Sequence, residues 1–348
     1  MTVDANSGAT GVELDIEQPD ALVAYLRREG RIGPAERITT RVLAGGVSNR
    51  TVLVQRATGD RWVLKQSLAK LRVTVNWYSD PARIHREALG IRWLEGEIPE
   101  QAVAGFVFED HHQHVLAMRA VPEPHDNWKT LLLAGQVEVD HVAQFGRLLG
   151  TIHRAGVRRR VEISHSFGDR SFFESLRIEP YYGYTMQQAP EAALFLRALI
   201  DDTRATRLTL VHGDYSPKNI LIYEGRLILL DHEVMHFGDP AFDLGFSLTH
   251  LLSKAYHLPT RRAAFIEAAD IYWQAYLKAT DGVVWTADFE ARAVRHTLAC
   301  LLARTAGRSP LDYLDPWERR CQRNAVVALL AHVPARIPHL ITEYMARL

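Results

Sequence analysis

Cysteine is scarce in this chain: Cys300 and Cys321 are the only two in 348 residues, and neither belongs to a CxxC or a Cys/His cluster. That pattern argues against a structural zinc site, and thiols this sparse fit a reducing cytosol. Long apolar runs are missing as well. No stretch approaches the length needed to span a bilayer, so no membrane association is expected. An excess of one charge is also absent, since Lys plus Arg and Asp plus Glu both number 41. A nucleic-acid binder or a basic membrane arm would carry surplus cations, and neither is expected. The opening MTVDANSGATGVELDIEQPD has no basic start or apolar middle, so it does not read as a signal peptide. The expectation is a cytoplasmic protein, monomer or homodimer, whose first 18 residues form a loose tail.

What is present is an ordinary globular balance, 47% apolar and 24% charged, in a chain long enough for two domains or lobes. PDALVAYLRREG (19–30) has helical spacing. Residues 36–66 then change to a period near two and read as two or three antiparallel strands, with GGVSN and ATGD as turns. A helix over 82–96 and strands over 106–121 follow, with His111–His114 at the turn. This predicts a small α+β lobe, residues 1–121. PEPHDNWKT (122–130) is the linker candidate. The second lobe, 122–348, reads as helices at 139–156, 190–205, 239–254, 260–279, 288–306 and 316–348. LTLVHGD and NILIYEGRLILLDHE interrupt them, the latter as a hairpin turning at Glu224–Gly225.

That hairpin brings together three carboxylates, Asp214, Asp231 and Glu233, with the amide of Asn219. Carboxylate and amide oxygens are hard ligands, suited to magnesium rather than zinc. One carboxylate left off the metal can orient a hydroxyl and take its proton, while the metal neutralises phosphates. Turn chemistry alone explains any single acid here. The whole series, His-x-Asp-x4-Asn, a short hairpin, then Asp-x-Glu, is specific in residue type and spacing.

VHGDYSPKNILI (211–222) and LLDHEVMHFGDPAFDLG (229–245) resemble the catalytic loop and following segment of the aminoglycoside phosphotransferase/choline kinase/methylthioribose kinase superfamily, relatives of protein kinases. The resemblance implies a two-lobe protein-kinase-like fold, with a small antiparallel-sheet N-lobe and a mostly helical C-lobe. It implies Asp214 as catalytic base, Asn219 and Asp231 as magnesium ligands, and Glu233 as a further metal or substrate contact. His212 would fix the loop backbone and Asp243 would support it; the competing reading of Asp243 is a helix N-cap. Asp239 reads as a cap or turn residue.

The first lobe supplies the matching parts. WVLKQ (62–66) places Lys65 on a strand, where it can reach nucleotide phosphates, and Glu87 on the next helix can hold it as an ion pair. LAGGVSN (43–49) reads as the phosphate-covering turn, with Gly45, Gly46 and the Ser48 hydroxyl. Met118 is expected to line an adenine pocket, with backbone groups of Arg119–Val121 bonding the base. The cofactors implied are ATP, with GTP as the alternative donor, and Mg2+.

Other motifs are weaker. SLAK (67–70) has no SDN or KTG partner, GVSNR lacks the last glycine of a nucleophile elbow, and no GxxxxGK[ST] occurs. An inactive kinase-like binding protein is disfavoured because every expected polar residue is present. The phosphate acceptor is the least legible element. Arg304, Arg308 and Tyr182 are the candidate contacts, beside a stretch after residue 284 richer in Arg than in acids. That balance favours a neutral or anionic hydroxyl metabolite, sugar-like or an amino alcohol, over a polycationic antibiotic.

Overall fold

The computed structural model describes residues 14–43, 46–73, 76–283 and 285–348. The period-two stretch forms consecutive antiparallel strands β1 (Ile38–Val42), β2 (Asn49–Arg56) and β3 (Arg61–Ser67). With β4 (Phe106–Asp110) and β5 (Val115–Arg119) they make a five-stranded sheet in the order β1-β2-β3-β5-β4. Lys65 lies on the central strand, opposite Thr51 on one side and Leu116 on the other. One sheet face buries Val52, Val54, Leu64, Val115 and Ala117 against α1 (Pro19–Arg28). The opposite face meets α2 (Arg83–Glu95), whose Ile84, Ala88, Ile91 and Leu94 join the main core. That core runs on without a break into the helical part, through Leu210, Leu229 and Leu301.

Two expectations need correction. The loose tail does not extend to residue 18. Leu14 and Ile16 are buried in the sheet-side core, and the Gln66 side chain donates to the Leu14 carbonyl at 2.7 Å. Two apolar residues in a polar run are too short a signal to show this. Residues 1–13 lie outside the described residues. The expected linker is also pinned. β6 (Asp126–Asn127) pairs with the later hairpin, and Asn127 accepts from the Lys129 N–H at 3.1 Å, capping α3 (Trp128–Leu133).

The helical part continues with α4 (Val139–Arg158), α5 (Arg160–Ser166), α6 (Ser171–Phe173), a π-helical segment Glu174–Gly183, α7 (Tyr184–Gln188) and α8 (Ala193–Ala205). Residues 159–188 gave no helical reading, because the i→i+5 segment with an internal Pro180 breaks the 3.6 period. β7 (Thr209–Val211) pairs with β10 (His236–Gly238), and β8 (Ile220–Tyr223) with β9 (Arg226–Leu229). The Glu224–Gly225 turn has φ of 48° and 71°, as a tight two-residue hairpin requires. α9 (Ala241–His257), α10 (Arg262–Thr280), α11 (Phe289–Ala306), α12 (Pro316–Leu330) and α13 (Ile337–Met345) complete the chain. The last two replace one expected helix, since Pro334 cannot continue it. No helix among the described residues is long and apolar enough to cross a membrane.

α4 lies so close to α10 that two of its glycines cannot be replaced. A Cβ on Gly146 would run into the Tyr272 carbonyl, and one on Gly150 would lie 2.7 Å from the Ala279 Cβ. Gly146→Ala is therefore expected to destabilise the protein by about 2 kcal/mol or more, despite the better helix propensity of alanine. Urea unfolding checks this, and an unchanged midpoint would refute the packing argument.

Candidate active site

The catalytic-loop candidate is held by buried hydrogen bonds. β7 ends at Val211 and delivers His212, Gly213 and Asp214 beneath α9. Gly213 has φ of 78°, and a Cβ there would lie 2.9 Å from the Val234 side chain. Asp243, in the first turn of α9 and not its N-cap, accepts the His212 N–H at 2.7 Å and the Gly213 N–H at 2.8 Å. His153 Nε2 lies 3.1 Å from the same carboxylate. Burial opposes ionisation of Asp243, but His153 and the loop amide outweigh it and hold the carboxyl below its ordinary value. Burial pushes the His212 imidazole down, so the ring is neutral and its Nδ1 accepts the Asp214 N–H at 3.2 Å.

Asp214 is oriented from both sides. Asn219 Nδ2 donates to its Oδ2 at 2.7 Å, and Arg177 pairs with its Oδ1 at 3.0 Å. Arg177 also donates to the Gly213 carbonyl at 2.7 Å. Sequence reasoning missed Arg177 entirely. It comes from the π-helical segment, which carries no motif, and only the fold brings it under the loop.

Across the cleft, Lys65 Nζ lies 2.6 Å from Glu87 and 3.1 Å from Asp231. Burial alone would lower the Lys65 pKa, but the carboxylates of Asp231, Glu87 and Glu233 overcome it and the value is raised. The ammonium is therefore permanent. Burial likewise resists ionisation of Asp231, yet Lys65, Lys218 and Arg177 hold its carboxyl well below the usual range. Burial pushes Glu87 up, with Lys65 pulling against it. Asp231 has φ of 68°, a left-handed conformation costing a non-glycine residue about 1 kcal/mol or more. Such strain persists where the surroundings over-determine it.

Glu233 is tied down by a second residue that the sequence reading missed. Arg83 donates Nε to Glu233 at 3.1 Å, and its other nitrogens go to the carbonyls of Ser48, Leu68, Ser79 and Asp80. Arg83 thus fastens the glycine turn to the segment after β9. Carboxylate oxygens of Glu87, Asp231 and Glu233 lie within 4.8 Å of one another. Lys65 takes one oxygen of Glu87 and Arg83 one of Glu233. Among the described residues the second oxygens of Glu87, Asp231 and Glu233 and the Asn219 Oδ1 have no hydrogen bond, and of these residues Asp231 and Asn219 line the cleft above the group. Two accessible hard oxygens beside an ionised carboxylate suit a magnesium ion.

A cleft of about 580 Å³ opens above this group. Gly46, Ser48, Val63, Lys65, Met118, Arg119, Val121, Asn219 and Asp231 are among its lining residues. Gly45 lies outside the described residues. The Arg119 and Ala120 amides are already given to the Gly105 and Arg61 carbonyls, at 2.7 and 2.9 Å. The Arg119 N–H is therefore not free for a base, while the Val121 N–H makes no such bond among the described residues. The volume and the largely apolar walls suit an adenine nucleotide.

Two of the three acceptor candidates are corrected. Tyr182 is fully buried and its hydroxyl bonds His296 Nδ1 at 2.8 Å, so it is core. Arg308 pairs with Glu179 at 3.0 Å and covers the Tyr184 ring. Neither faces the cleft. Arg304 is buried and lies over Tyr181 and Phe246, the rings that also flank Arg177.

The model of the phosphotransferase enzyme family (APH) matches residues 39–286. A methylthioribose kinase of Pectobacterium atrosepticum is 24% identical over 69% of this chain and 66% of its own length, just under two thirds of that relative. One of Yersinia pestis is 23% identical over 87% and 88%. Among solved structures, a macrolide 2'-phosphotransferase of Brachybacterium faecium superposes with a TM-score of 0.53 at 18% identity, covering 88% of this chain and 98% of that one. An amicoumacin kinase in complex with AMP-PNP and Ca2+ gives 0.57 at 12% identity, over 92% and 98%. These likenesses establish a protein-kinase-like phosphotransferase fold, and the family match spans the glycine turn, Lys65, Glu87, the 212–219 loop and Asp231–Asp243 alike. The chain belongs to the phosphotransferase enzyme family, whose members act on small molecules.

Proposed function

We propose that this protein transfers the γ-phosphoryl group of ATP to a hydroxyl of a small metabolite. The observation that carries the reading is Lys65, bridging Glu87 and Asp231 in the cleft that Asn219, the partner of Asp214, also lines. The acceptor oxygen attacks the γ-phosphorus, the bond to the ADP oxygen breaks, and Asp214 receives the hydroxyl proton. Arg177 and Asn219 hold Asp214 in register for that hydroxyl. Lys65 meets the phosphates, Glu87 positions Lys65, and Val121 offers its amide to the base. Asn219 and Asp231 would hold magnesium, which supplies charge neutralisation for the phosphates when bound. The methylthioribose kinase relatives support a sugar-like acceptor. ATP as donor supports a cytoplasmic location for the reaction.

The reading is tested by following ADP release with ATP across a panel of sugars, amino alcohols and hydroxy acids, with methylthioribose included. Turnover should require Mg2+ and vanish with EDTA. Lys65→Met should raise KM for ATP at least tenfold, because the α- and β-phosphates lose their cation. Nucleotide binding that is indifferent to both magnesium and Lys65 would reject it.

A further inference from the structure

Resting on the kinase reading, we infer that the acceptor bears an anionic group, a phosphate or carboxylate, which is taken up by Lys254 and Arg304 behind the catalytic loop.

The starting point is how the buried cations are matched. Arg83, Arg177 and Arg292 each meet a carboxylate, from Glu233, Asp214 and Asp239. Arg170 donates to the Thr203 and Arg204 carbonyls at the end of α8. Lys254 and Arg304, like Arg170, have no carboxylate oxygen within 4.0 Å among the described residues, and they lack the pair of helix-end carbonyls that Arg170 has. Lys254 on α9 has no exposed surface, and its one recorded bond is to the His250 carbonyl of its own helix, at 3.3 Å. Arg304 on α11 donates to Ser309 and meets His250 Nε2 at 3.3 Å. Its Nε is enclosed without a partner, and so is the hydroxyl of Tyr313, whose ring lies 5.2 Å from Lys254 Nζ. A buried charge without a counter-charge is costly, and two such cations beside unpartnered donors are chemically matched to an oxyanion.

The nearest acid does not fill that place. Asp312 is 73% exposed and both its oxygens are held by Lys129, at 2.8 and 3.0 Å. Burial, Lys129 and Arg304 together push the Lys254 ammonium down to about 7, and an anion brought beside it would reverse that. His250 is held neutral by burial and by four cations: Arg304, Lys254, Lys129 and Lys218. Lys218 is on the catalytic loop itself, next to Asn219.

Distance gives the group its place in the reaction. The Arg177 guanidinium, which holds Asp214, lies 5.8 and 5.9 Å from the Tyr181 and Phe246 ring centres. The Arg304 guanidinium lies 4.9 and 5.3 Å from the same two rings. The Arg304 guanidinium is thus one aromatic layer beyond the carboxylate that orients the hydroxyl. A short metabolite with a hydroxyl at one end and an anion at the other would match that separation.

Calorimetric titration of the full chain with ribose 5-phosphate, glycerate and neutral ribose tests this. The first two separate phosphate from carboxylate. At least one anion should bind tenfold or more tighter than ribose. Lys254→Met and Arg304→Gln should each weaken that anion at least tenfold and leave ribose unchanged. Lys254→Met should also raise the unfolding midpoint of the ligand-free protein, which a merely structural lysine would not do. Anions that bind no tighter than ribose, or variants that bind them as well as the parent, would overturn the inference. A parallel titration with Mg·AMP-PNP keeps the two ideas apart: lost nucleotide binding sinks the kinase reading, while the anion result stands by itself.

Discussion

Asp214→Asn lowers kcat for phosphoryl transfer by about 10³-fold and leaves KM for ATP nearly unchanged. The amide keeps the size of the carboxylate but cannot accept the acceptor's proton. ATP is held by other groups, Lys65 and the cleft walls, so ground-state nucleotide affinity survives. One side effect is expected. Arg177 is buried and loses the one carboxylate it meets among the described residues, which destabilises the protein by about 3 kcal/mol. Kinetics are therefore measured well below the variant's melting temperature, with nucleotide titration as proof of an intact cleft. A variant within threefold of the parent kcat would remove Asp214 from the mechanism.

The second large effect is loss of stability in mild acid. His236 and His296 are buried and neutral, and burial pushes both down to about 4. His236 faces Asp243, Arg170 and Arg86; His296 faces Asp239, Asp243, Arg292 and Arg295. Burial and neighbouring cations depress His250 as well. A histidine whose folded pKa is depressed contributes stability above its unfolded value and loses it as pH falls. The unfolded chain takes up these protons near pH 6.5, while the native state refuses them until near pH 4. At pH 5 His236 and His296 each cost about 2 kcal/mol, together a large part of the stability of a typical domain, and His250 adds in the same direction. The unfolding temperature should fall steeply between pH 6.5 and 5, followed by circular dichroism. A flat profile across that window would show these rings already protonated in the folded state.

Much of the site was legible because its residues are local in sequence. His212, Asp214 and Asn219 lie within eight residues, and the hairpin that returns Asp231 closes with a two-residue turn. Strand and helix periods located Lys65 and Glu87 on neighbouring elements, and the 2.6 Å pair between them is the geometric consequence. Arg177 and Arg83 were not legible. A lone arginine in a helix without a motif looks the same whether it is solvated or buried against a carboxylate far away in sequence. Tyr182 misled for the converse reason, since an aromatic near the loop reads equally as wall or core.

By itself, then, the amino-acid sequence determined the order of strands and helix over residues 36–121 and the chemistry of the 211–245 segment, because both rest on short-range spacing and turn geometry. Only the tertiary structure decided which charges are matched. Whether Glu233 is free or tied to Arg83, and whether Lys254 and Arg304 have counter-ions, depends on contacts between elements remote in sequence. Burial sets the cost of leaving a charge unpaired, and burial exists only once the core has closed.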